Sequence, residues 1–160
     1  MKTIAIVNLK GGVGKTVTAV NVAAILATEY GQRVLLIDAD PQANATQSLL
    51  PPGEYNTLAG LLTIPDVYYD DLLYHSSIRG LDVLPADDEL RNLDVDLLQG
   101  ERLLQEQAPV HVFASHIRRS PKVDESTWTG EPVVSWSPRS AAAQDYRAFV
   151  AEFLEEGAAK

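Results

Sequence analysis

Lys10-Gly11-Gly12-Val13-Gly14-Lys15-Thr16 is the stretch that decides the fold. Ahead of it, Thr3-Ile4-Ala5-Ile6-Val7-Asn8 is a short β-prone run without polar alternation, which predicts a strand buried on both faces. Behind it, residues 15 to about 30 predict a helix, with Val20, Ala24 and Ala27 at helical spacing and Gly31 placed to end it. Strand, glycine turn and helix are the context that a phosphate-binding loop requires. Backbone N–H groups and the positive end of the helix converge there on one spot where an anion can sit. Gly11, Gly12 and Gly14 let the chain turn tightly and leave no Cβ between backbone and phosphate oxygens. Lys15 can neutralise β- and γ-phosphates, and Thr16 can offer its hydroxyl to Mg²⁺. The common form of the motif begins with a glycine that would fall on Leu9; here an extra lysine, Lys10, stands beside that position instead.

The next apolar run, Arg33-Val34-Leu35-Leu36-Ile37-Asp38, reads as a second buried strand, and strand–helix–strand implies a parallel sheet. It leads into Asp38-Ala39-Asp40-Pro41-Gln42-Ala43-Asn44-Ala45-Thr46. Two carboxylates at the C-terminal end of a parallel strand lie where open α/β sheets place their chemistry. Asp38 is a candidate for holding Mg²⁺, and Asp40, two positions on, for the γ-phosphate side.

Outward from this core the chain is less regular. Pro51-Pro52-Gly53 breaks it, Leu58–Leu62 predicts a short helix, Ile78–Leu84 a third strand, and Asp87–Gln107 a helix with an acidic first turn. The acidic bias between Asp66 and Glu106 reads as a solvated face. Val110–Ala114 predicts a fourth strand, followed by a polar loop with Arg118, Arg119 and Lys122, a cluster read as solvated surface before a DNA track. Val133–Trp136, between Pro132 and Pro138, reads as an edge or loop segment. Ser140 predicts the cap of a last helix whose Tyr146, Phe149, Val150 and Phe153 form an apolar packing stripe.

Composition bounds the rest. The 160 residues are the size of one ordinary domain, with 46% hydrophobic and 22% charged residues. No cysteine is present, which excludes disulfides, thiolate metal sites and thiol catalysis. The net charge of −9 is the wrong sign for a purely electrostatic nucleic-acid binder. No apolar run approaches the roughly 20 residues of a membrane span, and the expected address is cytoplasmic, or nucleoid-associated if DNA is bound.

Lys10–Thr16 together with Asp38–Thr46 resembles the ParA/Soj group of deviant Walker A ATPases, which partition plasmids and chromosomes, more closely than the MinD or nitrogenase-iron-protein groups. Val112–Ser120, Gly130–Val133 and Ser140–Ala142 resemble the plasmid-type ending of that family, and no helix-turn-helix stretch precedes Thr3, as in its short form. The resemblance implies an α/β fold of P-loop type: a mostly parallel sheet with helices on both faces, or a reduced version of it. It implies one nucleotide-binding domain over 1–160, built of an N-terminal part (1–108) and a C-terminal part (109–160).

It also implies ATP and Mg²⁺ as cofactors, with Gly11, Gly12, Val13, Gly14, Lys15, Thr16 and Val17 around the phosphates and Arg119 near the base. Thr16 and Asp38 would serve the metal, Asp40 would orient the attacking water, and Lys10 would reach the partner's phosphates in an ATP-bound homodimer. A ParB-type partner and nonspecific DNA binding by the dimer are implied, and no membrane. Between its two parts the chain lacks the family's strand ending in Asp-x-Pro-Pro and the strands after it, since Gln107-Ala108 runs straight into Pro109-Val110. Those strands flank the phosphate-loop strand in relatives. Their loss predicts a smaller sheet, weak nucleotide binding and slow or absent turnover; a non-catalytic decoy subunit pairing with an intact relative is the competing expectation.

Overall fold

The computed structural model describes residues 2–8, 11–63, 72–92, 113–118 and 120–158. Helix α1 (Lys15–Thr28) begins directly after Gly14 and stops short of Gly31, as the sequence predicts. Strand β1 (Val34–Ile37), the short helices α2 (Asn44–Leu49) and α3 (Leu58–Thr63), and strands β2 (Tyr74–His75) and β3 (Leu81–Leu84) follow. A 3-10 turn at Asp88–Asn92 and helices α4 (Pro121–Thr129), α5 (Val133–Trp136) and α6 (Ala141–Ala158) complete the described chain.

The sheet has three strands in the order β1-β3-β2. Strand β1 runs parallel to β3, with Val34 opposite Leu81 and Ile37 opposite Leu84, and β2 pairs antiparallel with β3. A parallel ladder engages alternate residues. Val34 N donates to Gly80 O at 2.9 Å and Asp38 N to Leu84 O at 3.0 Å. The main-chain groups of Leu35 and Ile37 therefore face away from β3. Leu36, Leu81 and Val83 pack with Val20, Ala23 and Ala27 of α1 and with Ala45 and Leu49 of α2.

Helix α1 is the hub because it is apolar all round. Its second face, Val22, Ala24 and Ile25, meets Val133 and Val134 of α5 and Ala142, Ala143, Tyr146 and Val150 of α6. Asn21, 1% exposed, fixes that seam: its Nδ2 donates to Val17 O at 2.8 Å and its Oδ1 accepts Val134 N at 3.3 Å. Ser140 Oγ accepts Ala143 N at 3.2 Å, the expected cap of the last helix.

Several expectations change. Residues 3–8 form no strand, and Val7 is 50% exposed, so the doubly buried first strand is absent. A β-prone run becomes a strand only when it pairs with a partner edge, and residues 3–8 pair with neither edge of the described sheet. Strand β1 is buried on one face only: Leu35 is 46% and Ile37 54% exposed. The third strand is shorter than 78–84, because Ile78–Gly80 make the turn that joins it to β2. The start of the acidic segment 87–107 is the 3-10 turn, and the remainder lies outside the described residues, as do 110–112 of the fourth strand; Phe113 and Ala114 are not in a strand. Helix α4 replaces the polar loop, with Ser120 Oγ accepting Lys122 N at 3.3 Å and Pro121 at its first position. The 133–136 segment is the one-turn helix α5 rather than an edge.

Candidate functional site

Gly12 (φ 71°) and Gly14 (φ 87°) both take the left-handed conformation that L side chains avoid, and with it the chain doubles back into α1. A Cβ at either would meet nothing within 4 Å, so the turn needs glycine for its backbone angles and leaves the ground above it open. Gly14 caps α1 with no side-chain hydrogen bond, and the first turn contains no acidic residue. Thr18 N takes the first intrahelical acceptor, Gly14 O, at 2.9 Å. The preceding N–H groups have no acceptor within the helix, and the helix end is positive. Lys15 and Thr16 stand on that first turn, half-buried, with Val13 exposed and Val17 packed towards α6. The donor set there, a cation, a hydroxyl and main-chain amides, fits a phosphate-bearing anion.

Helix α1 and β1 pack side by side through Val20, Ala23, Ala27 and Leu36 and are joined by the short 29–33 connection, so they run antiparallel. The N-terminus of α1 and the C-terminal end of β1 therefore share one end of the layer. This brings Asp38 and Asp40 to the side of the molecule that carries Gly14, Lys15 and Thr16.

The two carboxylates differ in state. Asp38 is 5% exposed and fully engaged with protein donors. Its Oδ1 accepts Asp40 N at 3.2 Å, and its Oδ2 accepts both Thr46 N at 2.9 Å and Thr46 Oγ1 at 2.8 Å. Thr46 Oγ1 in turn accepts Ala86 N at 3.0 Å. Asp38 thus satisfies a first-turn amide of α2, a cap supplied from eight residues upstream. Asp40 is half-buried; its Oδ1 accepts Gln42 N at 2.9 Å, and its Oδ2 takes no hydrogen bond from the described residues. Of the two, Asp40 has the oxygen that can meet a water or a metal-bound water.

Among the described residues no group of three or more His, Asp or Glu side chains converges on one point. A Mg²⁺ here would be held by Thr16, phosphate oxygens and water, as is usual for this small, hard cation. Beside the network opens a cleft of about 900 Å³, lined by Gln42, Asn44, Gln47, Tyr55, Asp88 and Arg91 among others. Lys10 and Arg119 lie outside the described residues. Arg118, next to Arg119, is bound elsewhere: its Nε and one terminal nitrogen grip Asp145 of α6 at 2.7 and 2.8 Å, and its own N–H donates to the same carboxylate at 3.0 Å. Those bonds hold the Asp145 carboxyl below the usual range.

The part of the site that sequence reasoning missed is Thr46 with the Ala86 amide. Thr46 closes the Asp38–Thr46 stretch, but nothing local indicates that its hydroxyl reaches a residue 40 positions away.

The family model of the AAA domain matches residues 1–111. The chain is 40% identical over 103 residues to the chromosome partitioning protein ParA of Caulobacter vibrioides, covering 64% of this chain and 38% of that protein. The chain thus spans less than half the length of the curated relatives it matches. Among solved structures, the septum site-determining protein MinD of Pyrococcus horikoshii, in complex with Mg-ADP, superposes with a TM-score of 0.70 at 18% identity, covering 90% of this chain and 92% of that one. An ATP complex of McdA from Cyanothece superposes with a TM-score of 0.53 at 34% identity, covering 63% and 38%. Matched by that family model over most of its length, the chain belongs to the AAA domain family; it is similar in sequence to ParA and shares the α/β fold of MinD.

Proposed function

We propose that the chain binds ATP with Mg²⁺ at the 11–17 turn and uses it, as a ParA-like protein, to control pairing with a second copy in DNA partitioning. The observation that carries this reading is the uncapped, acid-free N-terminus of α1, delivered by two left-handed glycines and bearing Lys15 and Thr16. Main-chain amides of this turn and the Lys15 ammonium bind the phosphates, and the Thr16 hydroxyl serves the metal. Asp40, through its free Oδ2, orients water at the γ-phosphate side. Lys10 makes the contact to the partner's phosphates, Arg119 lies near the base, and a ParB-type protein and nonspecific DNA are the partners of the dimer. The named relatives support the reading, being a chromosome partitioning protein and proteins with Mg-ADP or ATP bound.

Phosphoryl transfer depends on positioning and charge neutralisation more than on covalent chemistry by the protein. Residues 3–8 form no strand beside the loop and Val7 is 50% exposed, so the loop is held less rigidly and binding outlasts hydrolysis. Calorimetric titration with Mg–ATP should give saturable binding, weakened at least about 10-fold by Lys15→Ala, a loss of about 1.4 kcal/mol. Phosphate release slower than that of a full-length relative accompanies it. Titration showing no response to ATP or ADP overturns the reading.

The same exposed segment favours a second reading, a non-catalytic subunit that pairs with an intact relative through Lys10. Under it, Lys10→Ala abolishes ATP-dependent co-elution with the intact partner while the nucleotide affinity of the single chain is unchanged.

A further inference from the structure

The geometry points to Thr46 as a positioning residue: with Asp38 it forms a buried clamp that sets the Asp40 amide, and Asp38 serves that clamp instead of a metal ion. The inference rests in part on the nucleotide-binding reading, since it assigns roles around that site, but its first test is independent of nucleotide.

Three observations carry it. Asp38, Thr46 and Ala86 are 5%, 6% and 5% exposed, so the clamp is dry, and buried polar groups that lose a partner there are costly. Asp38 uses both oxygens on three protein donors at 2.8–3.2 Å, which is how a structural carboxylate is satisfied. A metal-bound water would have to compete with those donors in a pocket closed to solvent.

The third observation is connectivity. Thr46 Oγ1 donates to Asp38 and accepts from Ala86, so one hydroxyl fastens the end of β1, the first turn of α2 and the residue two past β3. The Asp40 amide hangs from the other oxygen of the same carboxylate. From there the turn tightens further: Asp40 O accepts Ala43 N at 2.8 Å and Asp40 Oδ1 accepts Gln42 N at 2.9 Å. The turn is held hard enough to keep Ala43 at φ 53°, a conformation that persists only when its surroundings over-determine it. Asp40 is thereby pointed, with one oxygen left over, by groups that never meet the substrate themselves.

Two measurements on the full chain test this. In the absence of nucleotide, amide hydrogen exchange at Asp40 and Ala86 should rise about 10-fold or more in Thr46→Val, while Val150 in the core of α6 is unchanged. Thr46→Ser, which keeps the hydroxyl, should restore protection at both amides. Unchanged exchange at Asp40 in Thr46→Val overturns the clamp, and so does loss of protection that Thr46→Ser fails to restore. In the second measurement Mg²⁺ is titrated at fixed ATP against Asp38→Asn, which keeps the shape and one acceptor. Half-saturation within about twofold of the parent is expected; an increase of about 10-fold that Thr46→Val, which opens the same clamp, does not share makes Asp38 a metal ligand and overturns its assignment to the clamp. Absence of any nucleotide binding by the parent chain would sink the proposed function and leave the exchange result to decide the clamp.

Discussion

Residues 3–8 and 34–37 are nearly equivalent as sequence, two short β-branched apolar runs at the two ends of α1, yet only the second is a strand. Val34–Ile37 meets Leu81–Leu84 in a parallel register, and its Leu36 is covered by α1. Residues 3–8 keep some cover through Ile4, which packs beside α1, but they join none of the three strands. The lesson is that β-propensity describes fitness for a pleated, half-buried surface, and the partner edge supplies the surface. Among the described residues, the 11–14 turn is followed directly by α1, and no strand precedes it.

The sharpest way to break the contrast is to place a charge on each side of it. Val83 is 0% exposed at the centre of the sheet, so Val83→Asp buries an unpaired carboxylate and should cost more than about 3 kcal/mol, enough to unfold a marginal domain. Val7→Asp, at a half-exposed position, should change stability by less than about 0.5 kcal/mol. Urea denaturation followed by circular dichroism measures both. A cost for Val7→Asp comparable to that of Val83→Asp would mean that residues 3–8 are part of the core after all.

A third extended segment refines the comparison, because 113–118 is also outside any strand yet is held. Glu152 of α6 accepts Ala114 N and Ser115 N at 2.6 and 2.8 Å, and Asp145 accepts Arg118 through backbone and side chain. Carboxylates on a helix here do the work of a strand edge. Asp145→Ala should cost about 1.5–3 kcal/mol, the range for hydrogen bonds to a charged group. The pH dependence has a definite sign. The Asp145 carboxyl is lowered, first by the Arg118 side-chain hydrogen bond, so its contribution is complete above its unfolded pKa of about 3.9 and is lost as pH falls through the folded value. Thermal melts of the parent should fall more steeply with acid in that window than melts of Asp145→Ala. Parallel curves would show that the pair adds nothing.

The same contrast explains what could be read in advance. Helix α1, its glycine turn and the last helix were legible because their signals are local: left-handed glycines, 3.6-residue spacing, and Ser140 before Ala141. The fate of residues 3–8 was not, because it depends on strands elsewhere. Helix α4 was overlooked although Ser120-Pro121 is a good helix start; its polar composition suggested a loop. At the site, both carboxylates could be placed at the end of β1, but their division into a saturated Asp38 and a half-open Asp40 could not. That division is made by Thr46 and by its bond to the Ala86 amide, and contacts between distant residues leave no periodicity to read.

The smallest expected effect lies on the held side of the comparison, at Ala43. Its φ of 53° costs a non-glycine residue about 1–2 kcal/mol. Ala43→Gly relieves that cost, but glycine adds back about 0.5–1 kcal/mol of unfolded-state entropy, and the methyl that touches the small cluster of Ala59, Ala86 and Leu90 is lost. The terms nearly cancel, so the stability of Ala43→Gly should lie within about 0.5 kcal/mol of the parent. Ala43→Val separates strain from packing, because a β-branched side chain meets the same angle at a higher cost and should lose more than about 1 kcal/mol. If both variants match the parent, the turn relaxes freely, and Asp40 is then no better anchored than the exposed run on the other side of α1.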